Sequence, residues 1–110
     1  MSQTSTLSTH VLDTALGAPA AGIRVRLMRG AAAIGEGVTD ADGRVKFGAS
    51  LTLAAGSHAL VFEVAEYFAK SKRAAFYREI SIAFEVTAGG GHYHVPLLLS
   101  PFGYSTYRGS

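Results

Sequence analysis

The sequence contains no cysteine, and only 16% of its 110 residues are charged. The absence of cysteine excludes disulfides and thiolate chemistry but leaves the redox compartment open. No apolar run approaches the roughly 18 residues that a membrane-spanning helix requires. The first ten residues also lack the basic and apolar regions of a secretory signal. We therefore expect no membrane partner and a cytoplasmic location.

An excess of charge of one sign is also missing. Ten basic and eight acidic residues give a formal net charge of +2, and they are interspersed along the chain. A nucleic-acid-binding surface requires clustered basic residues, so no nucleic-acid partner is predicted. Nearly half of the residues, 48%, are hydrophobic, and this excess of apolar over charged side chains favours an oligomer. The length suits one domain, residues 1–110, with one core.

Short alternating segments, separated by turns rich in Gly, Pro and Asp, fill most of the chain and are typical of strands. The predicted strands are 7–13, 23–29, 32–38, 44–47, 57–64, 77–86, 92–99 and 104–107. Residues 16–22 are predicted to form a loop, and residues 51–56 a strand remnant or a loop. Residues 65–73 contain strong helix formers and predict the only helix, about two turns long. The expected fold is all-β, a two-sheet β-sandwich of seven to eight strands with one short helix.

The strand that begins at His92 has two apolar faces. One face, typical of a buried core, consists of Tyr93, Val95, Leu97 and Leu99. The opposite face consists of His92, His94, Pro96 and Leu98, and it is too apolar to remain in water. The chain then closes with Tyr-Arg-Gly-Ser at 107–110, whereas frayed termini are usually featureless. We therefore expect this second face to be covered and the final residues to be docked.

The four histidines are the main candidates for chemistry. His58 lies in an alternating strand without polar neighbours and is predicted to be a packed or surface residue, and His92 is more often structural at such a strand start. His10 and His94 each lie on the non-core side of a strand, beside apolar residues. Taken together, they indicate one covered surface that carries two imidazoles.

Two other kinds of site can be weighed against this interpretation. His10, His92 and His94 could supply three imidazoles to a zinc ion with an open position. No Asp or Glu stands near His92 or His94 in sequence as a second-shell partner, so no metal is predicted. Ser100 and Ser110 lack the glycine pattern of a nucleophile elbow, which argues against a serine nucleophile.

Four segments resemble the signature segments of the transthyretin-like 5-hydroxyisourate hydrolases. They are Ser-Thr-His-Val-Leu-Asp-Thr at 8–14, Asp-Gly-Arg at 42–44, the run from His92 to Pro101, and Tyr-Arg-Gly-Ser at 107–110. The resemblance spans essentially the whole chain. The closing tetrapeptide is the most specific element, because hormone-carrying transthyretins share the sandwich but are not expected to keep this tail or the histidines.

This resemblance implies a transthyretin-like sandwich that assembles as a homotetramer, a dimer of dimers with a channel between subunits. The implied reaction is hydrolysis of 5-hydroxyisourate to 2-oxo-4-hydroxy-4-carboxy-5-ureidoimidazoline in urate and purine degradation, without a cofactor. The implied catalytic residues are His10, Arg44, His94 and Ser110. His10, Arg44, Tyr107, Arg108 and Ser110 are implied to bind the substrate. Which histidine is the general base stays open, and the alternative function is a transthyretin-like carrier of small ligands without catalysis.

Overall fold

The computed structural model describes residues 5–47, 53–89 and 91–109, which form nine strands and one helix. In chain order the elements are β1 (Ser5–Asp13), β2 (Ala18–Pro19), β3 (Arg24–Arg29), β4 (Ala32–Val38), β5 (Arg44–Phe47), β6 (Gly56–Glu63), α1 (Ala65–Lys70), β7 (Glu79–Val86), β8 (Gly91–Ser100) and β9 (Gly103–Thr106). No helix within these ranges has the length and apolar character needed to cross a membrane.

The strands form two sheets that pack face to face. In the first sheet the order is β2-β1-β8-β9, and β5 also pairs with β1. The second sheet has the order β4-β3-β6-β7. The predicted two-sheet β-sandwich is therefore confirmed. The ninth strand is β2, a two-residue strand inside the segment that was predicted to be a loop; it forms because Leu12 and Asp13 pair with it.

The pairing of β1 with β8 is parallel and runs over nine residue pairs, from Ser5 opposite Gly91 to Asp13 opposite Leu99. The other strand pairs of both sheets among the described residues are antiparallel. A parallel pair requires a long connection, and here the whole second sheet lies between the two strands in sequence. The two ends of the described chain therefore meet in the centre of the first sheet.

The core lies between the sheets and follows the alternation of the strands. The core face of β8 is buried as predicted, with Tyr93, Val95, Leu97 and Leu99 between 0 and 6% exposed. They meet fully buried residues of the second sheet, among them Val25, Leu27, Leu60 and Phe62. Each such side chain stabilises the fold by roughly 1.5–3 kcal/mol through removal from water. This core fixes the orientation of β8, and hence which of its residues point away from it.

The helix is shorter than predicted and ends at Lys70. Lys72 adopts a positive φ of 56°, a conformation that stops a helix and reverses the chain. As a result, the backbone N–H of Arg73 donates to the carbonyl of Phe68 at 3.1 Å. The predicted end at residue 73 was wrong because Arg73 folds back over the helix instead of continuing it.

That reversal brings Arg73 to Asp13, at the end of β1. The Asp13 carboxylate is fully buried and contacts Nη2 of Arg73 at 2.6 Å. It also accepts hydrogen bonds from the hydroxyl of Tyr67 at 2.7 Å and from the backbone N–H groups of Ala15 and Leu16 at 3.1 Å each. This carboxylate therefore joins helix α1, the loop that follows it and the turn after β1.

His58 belongs to the interior, and only 2% of it is exposed. Its Nδ1 lies 3.1 Å from the carbonyl of Gly56, and Nη1 of Arg29 approaches its Nε2 at 3.2 Å. Of the two predicted alternatives for His58, a packed residue or a surface residue, the structure shows the packed one. Of the predicted element 51–56, residues 51 and 52 lie outside the described residues, and β6 begins at Gly56.

Candidate active site

The side of the first sheet that points away from the core carries three of the six predicted site residues, His10, Arg44 and His94. Across the strands, His10 is opposite both Arg44 and Pro96, and Ser8 is opposite both Lys46 and His94. We call this surface the outer face, formed by Ser8, His10, Arg44, Lys46, His92, His94, Pro96 and Leu98. Strand pairing therefore places His10, Arg44 and His94 within two neighbouring cross-strand rows.

Arg44 owes its place to the turn that precedes β5. The Asp40 carboxylate accepts hydrogen bonds from the backbone N–H groups of Asp42 and Arg44, at 2.9 Å each. The bond from Arg44 is the main reason that the pKa of Asp40 lies below its usual value. Gly43 has a φ of 76°, and a Cβ there would collide with the carbonyl of Val11. This tight turn sets the first residue of β5 directly opposite His10.

His94 is half-buried and is held from two sides. Its Nδ1 lies 2.8 Å from the hydroxyl of Ser8. On the other side, the N–H of Gly109 donates to the carbonyl of His94 at 2.8 Å. A Cβ at position 109 would lie only 2.5 Å from Cδ2 of the imidazole, so glycine alone allows the chain to pass this close.

The environment of His94 favours its neutral form. Burial is the main cause that lowers the pKa of His94, and the charges of Arg44, His92 and His10 lower it further. A hydrogen bond that the ring donates to the backbone of Ser8 raises the pKa but offsets this shift only in part. A neutral imidazole at pH 7 has a free lone pair on one nitrogen and can accept a proton from water.

Next to this residue, His92 is exposed, and its Nδ1 lies 2.6 Å from the hydroxyl of Thr6. The rings of His92 and His94 are stacked, with centroids 6.5 Å apart. The hydroxyl of Ser8 lies between them, 3.5 Å from Nε2 of His92. The contact of Ser8 with His94 was not predicted, because nothing in the alternation of either strand indicates that β1 lies beside β8.

Metal binding was the other interpretation of these histidines. Among residues 5–47, 53–89 and 91–109, no three or more His, Cys, Asp or Glu side chains are grouped so that they could hold a metal ion. In His92 and His94 the Nδ1 atoms face hydroxyl groups.

The final residues extend the edge of the first sheet beyond β9. Gly109 forms a bridge with His94, which confirms that this segment is docked. Tyr107 is 57% exposed. Ser110 lies outside the described residues.

Arg108 points to the opposite side of the sheet from Gly109. Its guanidinium carbon lies 4.7 Å from the centre of the Tyr93 ring, whose side chain belongs to the core face. This contact is within the range of a cation–π interaction. A cavity of about 300 Å³ opens there, between this segment and β7, and Arg108 and Tyr93 contribute to its lining. Within one chain, Arg108 therefore anchors the final segment and does not join His10 and Arg44.

Comparison with known proteins agrees with this geometry. A model of the HIUase/Transthyretin family matches residues 7–109. The 5-hydroxyisourate hydrolase of Deinococcus radiodurans is 46% identical over an alignment of 115 residues. The alignment covers 94% of this chain and 95% of the relative.

Solved structures give the same result. The 5-hydroxyisourate hydrolase of Klebsiella pneumoniae superposes with a TM-score of 0.88 at 41% identity, covering 96% of this chain and 100% of the other. Sea bream transthyretin, solved with thyroxine, superposes with a TM-score of 0.82 at 28% identity, covering 94% and 93%. Both the sequence and the architecture therefore agree with the family match, and this chain belongs to the HIUase/Transthyretin family.

Proposed function

We propose that this protein hydrolyses 5-hydroxyisourate to 2-oxo-4-hydroxy-4-carboxy-5-ureidoimidazoline, a step of urate degradation. The observation that carries the proposal is the placement of His10, Arg44 and His94 on one outer face. It stands in a chain whose relatives at 41% and 46% identity are named for this reaction.

The chemistry follows from the side chains. Opening the six-membered ring of an oxidised purine requires water to attack a ring carbonyl, after which the carbon–nitrogen bond breaks. The attacking water must lose a proton, and the departing nitrogen must gain one. A histidine can do both, because its ordinary pKa lies close to neutral pH. The guanidinium of Arg44 stays charged and can pair with the carbonyl oxygen as negative charge develops on it.

Of the two histidines, we assign the role of general base to His94. Its lowered pKa keeps it neutral at pH 7, and its Nδ1 is engaged by Ser8, so Nε2 remains available to the water. His10, flanked by Arg44 and Pro96, is assigned to substrate binding or to proton donation. Tyr107 and Ser110 remain proposed contributors from the final segment, and Arg108 a proposed substrate ligand only where subunits meet.

Assembly is part of the proposal, because one chain offers an open surface and not a crevice. Leu98 is half-buried on the outer face, and two large apolar residues in the turns that follow β1 and β8 are exposed: 61% of Leu16 and 69% of Phe102. Apolar surface of this kind favours contact with another subunit. We propose a homotetramer, a dimer of dimers, in which a second copy supplies the opposite wall of the site. A single domain and a cytoplasmic location remain predictions from the sequence.

The direct test is to add purified protein to freshly generated 5-hydroxyisourate and to follow the ultraviolet decay. We expect the decay to be faster than in buffer and proportional to protein concentration. The competing function is a carrier of apolar ligands, as in the thyroxine complex of sea bream transthyretin. The imidazoles and the guanidinium make the outer face a poor surface for such a ligand. Unchanged decay together with thyroxine binding would support the carrier instead.

Replacing Arg44 by glutamine is expected to lower kcat by about 10²- to 10³-fold, the usual cost of removing one donor to a developing oxyanion. The matched control is Arg24→Gln, because Arg24 also begins a strand and is exposed, but it lies on the second sheet. Its ion pair with Glu36 is 3.8 Å long and exposed, so little stability depends on it. Steady-state kinetics measure kcat of both variants. If Arg44→Gln has the same kcat as Arg24→Gln, Arg44 takes no part in the reaction.

A further inference from the structure

The hydroxyl of Ser8 contacts both histidines of β8. Because it has a single proton, it can donate to only one of them, and this restricts which ring nitrogen of His94 carries hydrogen. The hydroxyl oxygen lies 2.8 Å from Nδ1 of His94 and 3.5 Å from Nε2 of His92. Nδ1 of His92 lies in turn 2.6 Å from the hydroxyl of Thr6. These contacts form a chain of hydrogen bonds that ends at His94.

We infer that Ser8 is a positioning residue: it accepts a hydrogen bond from Nδ1–H of His94 and donates its own proton to Nε2 of His92. In this arrangement Nε2 of His94 has a free lone pair. The inference rests on the proposed function, since it explains how His94 is kept ready to act as a base.

The direction of these hydrogen bonds follows from what a general base must do. When His94 takes a proton from water, both of its nitrogens carry hydrogen and both must donate. A serine that already accepts from Nδ1 stays in place during this change. A serine that donates to Nδ1 would have to rotate first, and such reorganisation costs free energy at the moment of reaction. The accepting orientation is therefore compatible with both protonation states of His94.

His92 completes the arrangement because it gives the serine proton somewhere to go. Its Nε2 accepts from Ser8 while its Nδ1–H donates to Thr6. His94 is thus a base oriented by Ser8, and Ser8 is itself oriented by His92. Exposure of His92 does not conflict with this role, because its two neighbours on β1 hold the ring from one side.

The remaining groups near His94 cannot perform this function. Arg44 and Lys46 on β5 only donate hydrogen bonds, and a cation beside Nδ1 disfavours protonation of the ring. Gly109 offers its backbone N–H to the carbonyl of His94 and not to the ring. His10, on β1, is opposite Pro96 and not opposite His94. Of the described residues, only Ser8 is assigned a hydrogen bond to a ring nitrogen of His94.

The test compares Ser8→Ala with wild type by kinetics and by ¹⁵N NMR of the imidazole nitrogens in resting protein. In wild type we expect His94 to carry its proton on Nδ1. In Ser8→Ala the proton should move to Nε2, and kcat should fall by about 10- to 100-fold, the size of the loss when groups that orient a metal-ligating histidine are removed. KM should change little, because the hydroxyl of Ser8 is engaged by the two imidazoles and acts through His94.

Two further variants separate positioning from a structural effect. Ser8→Thr keeps the hydroxyl in a strand, where threonine is favoured, and should restore both the Nδ1 proton and kcat. Ser81→Ala removes an exposed serine of β7, on the second sheet, and should match wild type. Thermal unfolding of each variant shows whether the fold is kept.

Three results would overturn the inference: a wild-type His94 with its proton on Nε2, an unchanged ring in Ser8→Ala, or a Ser8→Ala variant with full kcat. None of these would remove the hydrolase activity itself, which the wild-type assay measures separately. Conversely, the NMR measurement needs no substrate. A protein without activity could therefore still show the predicted position of the proton, and the two failures are distinguishable.

Discussion

Replacing His94 by glutamine is expected to lower kcat for 5-hydroxyisourate by about 10²- to 10⁴-fold, the usual contribution of a general base. Glutamine keeps a polar side chain of similar reach but cannot take a proton from water. The fold should survive, because His94 is only half-buried and the core face of β8 is untouched. Steady-state kinetics, with circular dichroism and size-exclusion chromatography on the same samples, measure both properties.

The matched control is His92→Gln, two residues earlier on the same face of the same strand. It should lose far less activity, because His92 acts only through Ser8 and glutamine retains an accepting oxygen. The wild-type pH profile adds a second check. Since the pKa of His94 is lowered, the base stays neutral and kcat should persist as the pH falls through about 6.5, the ordinary histidine value. A folded His94→Gln variant with wild-type kcat would dismiss His94 as the base.

Replacing Asp13 by asparagine is expected to lower the free energy of unfolding by about 3–5 kcal/mol, the cost of removing one partner from a buried ion pair. The variant leaves the guanidinium of Arg73, 21% exposed, without its carboxylate. It also weakens the bond from Tyr67 that joins the helix to β1. Urea denaturation at pH 7 and fixed protomer concentration measures the loss. Asp42→Asn, in an exposed turn, is the control and should change stability by less than about 0.5 kcal/mol.

This loss should depend on pH in a defined direction. Burial raises the pKa of Asp13, but hydrogen bonds from Arg73, Tyr67 and Leu16 outweigh it, and the net result is a pKa below the usual value. The carboxylate therefore contributes fully above the unfolded pKa of about 3.9, and its contribution disappears as the pH falls through the lower, folded value. The difference in the free energy of unfolding between wild type and Asp13→Asn should thus be constant near neutral pH and become smaller in strong acid. A gap that does not narrow there would contradict the ionised state of Asp13.

The faces of the strands could be predicted from the sequence because burial imposes a period of two. On this basis His10 and His94 are predicted on non-core faces, and the alternate residues of β8 on the core face, as the structure has them: Tyr93, Val95, Leu97 and Leu99. The pairing between strands could not be predicted in the same way. Nothing in the alternation of β1 says that Ser8 lies opposite His94, 86 positions away.

The final segment shows the same limit. Its docking was predicted from composition, and Gly109 confirms it. The resemblance implies that Tyr107, Arg108 and Ser110 all bind the substrate, whereas successive side chains of an extended segment point to opposite sides. Arg108 consequently contacts Tyr93 on the core side, while Gly109 contacts His94. Similarly, the helix end was missed because the positive φ of Lys72 has no signal in a lysine.

The parallel pairing of β1 with β8 also has a consequence during translation. A growing chain that has emerged through β7 already contains His10 and Arg44, but β1 still lacks its central neighbour. The second sheet can form earlier, since its four strands lie between residues 24 and 86. Closing the loop between β1 and β8 is therefore left to residues that leave the ribosome after β7. A product truncated after β7 would accordingly lack His94 and could not hydrolyse the substrate by the proposed route.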